Sequence, residues 1–175
     1  DSRLSRGLGD VYKRQDMLCP FHYFGVSDIT VDGEVVDDSA DFNKLTAEAR
    51  VDHILDRIDR YGSCSERVRG LMFCSRNEEA AQLSDMLNRR GLRTMALSGA
   101  DGEDSREQAI SRLESAPDDP FGLDYILTVD IFNEGVDIPS VNQVVMLRPT
   151  QSAIVFVQQL GRGLRKVEGQ DKFLT

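Results

Sequence analysis

Two short segments carry residue types at spacings that suit work on phosphates. The first is Gln158-Gln-Leu-Gly-Arg-Gly-Leu-Arg165, in which Gln158, Gly161, Arg162 and Arg165 form Q-x-x-G-R-x-x-R. Arg162 and Arg165 are three positions apart, so on a helical turn both guanidiniums project to one side. Two forked cationic donors on one face make a clamp for phosphate oxygens. Gly161 removes a side chain beside them and lets a partner surface come close. The plainer reading is a basic helix end completing its dipole, which leaves the framing glycines unexplained. The second segment is Ile126-Leu-Thr-Val-Asp-Ile-Phe-Asn-Glu-Gly-Val-Asp-Ile-Pro139. Gly135 frees the backbone to turn or to approach a ligand. Asp137 then offers a carboxylate suited to accept hydrogen bonds from a ribose, and Pro139 stiffens the exit. A glycine turn beside a solvated acid accounts for this segment equally well.

The elements around these segments alternate. Thr46 offers an N-cap to a helix carrying Ala49, Val51, Ile54, Leu55 and Ile58, which ends near Tyr61 with Gly62 suited to the C-cap. Leu71–Cys74 is a short continuous apolar run, typical of a buried parallel strand. Ser75 is placed to cap the next helix, whose apolar face is Ala80, Ala81, Leu83, Met86 and Leu87 and which stops at Arg89-Arg90-Gly91. Glu78 and Glu79 fall in its first turn, where the dipole accounts for them. Thr94–Leu97 reads as a second strand, 98–102 as a loop, and roughly 103–115 as a helix with Ala109, Ile110 and Leu113 inward. Tyr125–Val129 is a third strand, Val144–Leu147 a fourth, and Ser152 opens a further helix. Strand–helix alternation with short links implies right-handed crossovers and a mostly parallel, doubly wound α/β sheet. In such sheets ligands meet the carboxyl ends of the strands. The loops beginning at Ser75, Ser98 and Asp130 are therefore where chemistry is expected.

Composition narrows the classes. The chain has 175 residues, 40% apolar and 29% charged, a soluble globular balance. No apolar run approaches the roughly 20 residues a membrane helix needs, and no apolar stretch follows the basic start, so a cytoplasmic protein without membrane contact is expected. Cys19, Cys64 and Cys74 show no C-x-x-C spacing, and only His22 and His53 accompany them, so neither a metal site nor a disulfide framework is expected. His22 sits among aromatics and reads as packing, and Cys74 as a buried, inert thiol. The net charge of −9 is uneven: residues 71–139 sum to −8 and residues 140–175 to +3. An acidic body with a basic end still presents a local phosphate-binding surface.

Three regions emerge. Residues 1–15 fit nothing after them. Asp10–Gln15 back-translates to a string that resembles a transposon adapter, so a non-native leader is expected there. Residues 16–62 read as an arm with aromatics (Phe21, Tyr23, Phe24, Phe42) and one helix. Residues 63–175 read as the α/β domain, cut mid-element at the C-terminal end.

Taken together, Gly135-x-Asp137 and Gln158–Arg165, in this order and spacing, resemble motifs V and VI of the second RecA-like domain of superfamily 2 helicases and translocases. Phe73-Cys-Ser-Arg76 stands where motif IV falls. Pro20–Gly25 and Val129–Gly135 look more narrowly like the bacterial DEAD/DEAH-box helicases related to the type III restriction subunit. The resemblance implies a three-layer RecA-like lobe, with residues 16–62 as the interlobe linker. It implies that Arg162 and Arg165 reach the γ-phosphate of ATP, one of them as an arginine finger. Asp137 is then expected to contact the ribose with clearance from Gly135. Gln158 is expected to help position the attacking water or to link the nucleotide to the domain, and Gly161 is counted with it among the nucleotide-binding residues. Ser75, Arg76, Ser98, Gly99, Thr128 and Asn133 are expected to line a nucleic-acid face, touching backbone phosphates. Arg106 stands where the family has a basic residue, although a surface salt bridge explains it equally. DNA is the expected substrate over RNA, on the restriction-type resemblance alone. The chain contains neither G-x-x-x-x-G-K-[ST] nor D-E-A-[DH]. ATP and Mg²⁺ are accordingly expected to be held mainly by a first lobe of the parent chain, and this chain alone is not expected to hydrolyse ATP. The alternative is a non-catalytic binding module on the same fold, for nucleic acid or protein.

Overall fold

The computed structural model describes residues 30–31, 34–35, 47–62, 67–129, 138 and 140–147. Strands β1 (Thr30–Val31) and β2 (Glu34–Val35) form a small antiparallel pair. Helix α1 spans Ala47–Tyr61. There follow β3 (Gly70–Phe73), α2 (Asn77–Arg89), β4 (Thr94–Ala96), α3 (Glu103–Glu114), β5 (Tyr125–Thr128) and β6 (Gln143–Met146). The four later strands make one parallel sheet in the order β4-β5-β3-β6. The expected parallel α/β architecture is what forms.

The order explains the layers. The chain leaves β3, passes β5 and lands on β4, then turns back to β5. Right-handed crossovers running in opposite directions put their helices on opposite faces. Alternate residues of each strand accordingly enter different cores. Leu71, Phe73 and Ile126 pack with Ala109 and Leu113 of α3 on one face. Met72, Cys74, Tyr125 and Leu127 pack with Val51 and Ile54 of α1 and Ala80, Leu83 and Leu87 of α2 on the other. Both faces of β3 and β5 are covered, which is why their sequences run apolar without alternation.

Local chemistry sets the boundaries. Gly62 adopts φ +60 and its N–H returns to the Ile58 carbonyl, closing α1 as expected. Gly91, at φ +95, follows the end of α2 in the same way. Ser75 does not cap α2. Arg76 occupies the N-cap position in an extended conformation with no side-chain cap. A carboxylate from inside the helix, Glu79 Oε2, instead accepts the Ser75 N–H at 2.9 Å. The expected apolar face of α2 needs one change: Ala81 is exposed, while Glu79 and Ser84 are buried. Ser84 Oγ lies 2.8 Å from Thr94 Oγ1, a polar pair that ties α2 to β4. The fourth strand begins one residue earlier than expected, at Gln143. Its amide Nε2 donates to the Gly62 carbonyl at 2.8 Å, and its Oε1 accepts from the buried Tyr125 hydroxyl. Burial pushes the Tyr125 phenol up, so it stays a donor.

Gly70 is required by a close approach. It pairs with Tyr125 across the β3–β5 ladder. A Cβ at position 70 would lie 2.1 Å from the Tyr125 ring, which is fully buried. Gly70→Ala is expected to destabilise the domain by about 3 kcal/mol, at the upper end of ordinary overpacking. Urea unfolding measures this. Combining it with Tyr125→Leu should recover part of the loss, because the two positions compete for one volume.

Candidate functional site

The carboxyl edge of the sheet is where these strands deliver their loops. Register places Phe73 beside Thr128 and Met146, and Ala96 beside Leu127. Main-chain bonds continue the ladder one step beyond: Cys74 N–H to the Thr128 carbonyl, Leu97 N–H to Leu127 and Leu147 N–H to Phe73, each 2.8 Å. The loop after β3 (Ser75, Arg76) and the loop after β4 (Ser98, Gly99) therefore emerge on the same edge. β5 lies between them, so the two loops are spaced by about 10 Å at a strand separation of about 4.8 Å.

Each predicted residue on this edge has a definite place. Ser75 and Arg76 are exposed. Arg76 makes no ion pair among the described residues. Gly99 is exposed and Ser98 half-buried. Thr128 is different: its side chain is fully buried, and its hydroxyl has no hydrogen-bond partner among the described residues. It belongs to the wall behind the edge rather than to its surface. Asn133, Gly135, Asp137, Gln158, Gly161, Arg162 and Arg165 lie outside the described residues, as does the helix expected from Ser152.

Three residues to which the sequence reading gives no role at the edge shape it. Asp101 accepts the Ser98 N–H at 2.6 Å and the Ser98 hydroxyl at 2.9 Å. Those two bonds hold its carboxyl below the usual range. The second and third are Arg50 and Glu79. Arg50 Nη2 of α1 donates to Glu79 Oε1 at 2.7 Å, and the side chains are only 12% and 4% exposed. Glu79 spends its other oxygen on the Ser75 N–H. Arg106, left between a phosphate contact and a salt bridge, makes no ion pair among the described residues. Its Nη2 reaches the Gly99 carbonyl at 3.3 Å and leaves a second guanidinium beside the β4 loop.

The Asp101 bonds give a pH dependence with a definite sign. The folded pKa is depressed, so the carboxylate holds Ser98 at every pH above the unfolded value of about 3.9 and lets go as pH falls through the folded one. The Ser98 amide resonance is expected to stay fixed between about pH 5 and 8 and to move only below the ordinary carboxylate range. Asp101→Asn should abolish that transition. A midpoint at or above the ordinary value would contradict the arrangement.

Among the described residues no group of three or more His, Cys, Asp or Glu is placed to hold a metal ion. None of the described helices is long and apolar enough to cross a membrane.

A parallel three-layer lobe that gathers exposed serine, glycine and arginine on its carboxyl edge is of the RecA-like α/β class. The comparisons narrow this. The chain belongs to the helicase conserved C-terminal domain family, whose model matches residues 48–167. It is 29% identical over 114 residues to the ATP-dependent RNA helicase SrmB of Haemophilus influenzae, covering 65% of this chain and 25% of that protein. It is 26% identical over 129 residues to the ATP-dependent RNA helicase DBP3 of Lodderomyces elongisporus, covering 74% of this chain and 22% of that protein. The chain thus spans about a quarter or less of these relatives' lengths. Its fold matches the E. coli DEAD-box protein SrmB, solved bound to regulator of ribonuclease activity A. That match has a TM-score of 0.55 at 20% identity and covers 73% of this chain and 69% of that one.

Proposed function

We propose that this chain is the second lobe of an ATP-dependent helicase or translocase, gripping a nucleic-acid backbone and completing an ATP site formed mainly by another lobe. The observation that carries the reading is the shared edge: exposed Ser75 and Arg76 emerge beside Ser98 and Gly99 at the carboxyl ends of β3 and β4. Small polar residues with a guanidinium that makes no ion pair among the described residues suit phosphates rather than bases. Thr128 supports this edge from behind, and the family resemblance adds Asn133 to the strand-binding residues.

The nucleotide half rests on Gly135, Asp137, Gln158, Gly161, Arg162 and Arg165 and on the family match, which covers all six positions. Arg162 and Arg165 stabilise charge developing on the transferred phosphoryl group. Asp137 accepts from the ribose, while Gln158 and Gly161 shape the approach. Mg²⁺ is assigned to the other lobe, because the sequence carries neither G-x-x-x-x-G-K-[ST] nor D-E-A-[DH]. In the same reading residues 16–62 join the lobes and residues 63–175 form the domain. The narrower restriction-subunit group is supported by Pro20–Gly25 and Val129–Gly135.

Single-stranded RNA is the first substrate to test, because both curated relatives bear RNA helicase names. DNA, favoured by the restriction-type resemblance, is the second arm. The test is ATP turnover by the lobe joined to a first RecA-like lobe, with and without each polymer. Stimulation by either strand supports the reading and names the substrate. Turnover indifferent to both supports the binding-module alternative.

A further inference from the structure

The strand-binding edge does not stand alone; it is fastened to α1. The Arg50 guanidinium lies at a junction of three elements. Its Nη2 is 2.7 Å from Glu79 in the first turn of α2 and approaches the Leu147 carbonyl oxygen, just past β6, to 3.5 Å. Glu79 is almost wholly buried, and both its oxygens are committed, one to Arg50 and one to the Ser75 N–H. A buried carboxylate keeps its charge only while a cation and hydrogen-bond donors face it. Remove Arg50, or shift α1 away, and Glu79 loses the cation that faces it and is drawn outward to water. Either change releases the Ser75 N–H and the extended Arg76 that follows it. A surface triad, Arg90 with Glu48 and Asp52, ties α1 to the far end of α2. It touches no loop of the edge.

We propose that Arg50 and Glu79 are positioning residues for strand binding: through them, the seating of α1 sets the Ser75–Arg76 loop and hence the grip of this edge on a nucleic-acid backbone. The inference rests on the strand-binding reading above and adds a mechanical input to it. Because α1 lies in the segment assigned to the interlobe connection, strain on that segment is transmitted to the grip without any ligand touching α1.

The test uses the whole chain, with end-labelled oligouridine and oligothymidine as probes and amide hydrogen exchange as a readout independent of binding. Arg50→Gln is expected to speed exchange at the Ser75 amide by about 10-fold, the scale of losing one charge-assisted hydrogen bond. Exchange at Ala109 and Leu113, on the opposite face, should stay unchanged. Strand affinity should fall by a similar factor, about 10-fold, with the salt slope reduced by about one. Arg50→Lys should recover part of both effects, since it restores the charge but not the fork. Glu79→Gln, which keeps the size and one acceptor, serves as the second variant should Arg50→Gln fold poorly. Unchanged Ser75 exchange in both variants overturns the proposal. So does faster exchange with unaltered affinity, and so does a uniform loss of protection that reaches α3. If the unaltered chain binds neither probe, the strand-binding reading itself falls, and the coupling falls with it. Binding by the unaltered chain that the variants leave intact sinks the coupling alone.

Discussion

Arg162→Ala and Arg165→Ala are each expected to lower strand-stimulated ATP turnover at least about 100-fold once the lobe is joined to its partner lobe, with ATP binding retained. The size follows from where the charge develops. As the terminal phosphoryl group transfers, negative charge spreads over its oxygens, and a guanidinium fixed beside them stabilises the transition state more than bound ATP. A lost finger is therefore read in turnover rather than in nucleotide affinity. Arg76→Ala is the informative contrast. Its guanidinium is exposed on the strand edge, so its loss should raise the strand concentration needed for stimulation and leave turnover at saturating strand nearly intact. Turnover that ignores both Arg162 and Arg165 would remove the catalytic reading and leave the binding module.

The largest expected effect on stability belongs to Arg67. This side chain is only 8% exposed and closes the end of α3. Its Nη1 donates to the carbonyls of Ser115 and Ala116 at 2.6 and 2.7 Å, and its Nη2 donates to Leu123 at 2.8 Å. The last carbonyls of a helix have no partner within it, so one fork here satisfies the end of α3 and the return into β5 together. Arg67→Ala is expected to cost about 4 kcal/mol, the range found when a buried charged anchor is deleted and its acceptors are left dry. Arg67→Lys should restore only part of this, because one ammonium cannot face three diverging carbonyls. Arg90→Ala, which removes an exposed charge between α1 and α2, should leave the urea midpoint close to that of the unaltered chain. A cost for Arg67→Ala no larger than that control would show the α3 end to be satisfied otherwise.

How much of this was legible in the sequence depends on the range of the interaction. Helices announced themselves through spacing and stops, as with Val51, Ile54 and Ile58 before Gly62. Strands announced themselves as short apolar runs, because both faces of β3 and β5 are covered. The loops at the edge followed from the alternation alone. The polar ties were not legible, because each joins residues far apart in the chain. Arg50 and Glu79 are 29 positions apart, and Glu79 was already accounted for by the helix dipole. Asn142 accepts from Arg69 N–H through Oδ1 and donates to the Arg67 carbonyl, a bridge spanning more than 70 positions. Ser75 carried the usual signature of a cap, yet Glu79, with its longer reach, satisfies that loop from inside the helix. The family resemblance alone places Thr128 on the binding face, and nothing local signals that its side chain turns inward.

The strand order also has a consequence for how the molecule is made. β3 is the first strand of its sheet to be synthesised, yet its two neighbours are β5 and β6, the last two described. β4 follows next and pairs with no strand yet made; it is tied to α2 through Ser84 and Thr94 and waits for β5. On the ribosome, Leu71, Met72 and Phe73 must therefore spend the time of more than fifty further residues without a pairing partner. In that interval α1 and α2 are available to cover the Met72 face, and α3 later the face of Leu71 and Phe73. The nascent chain thus carries an apolar strand with neither edge paired until Tyr125–Thr128 emerges, and that is the period in which a chaperone has something to hold.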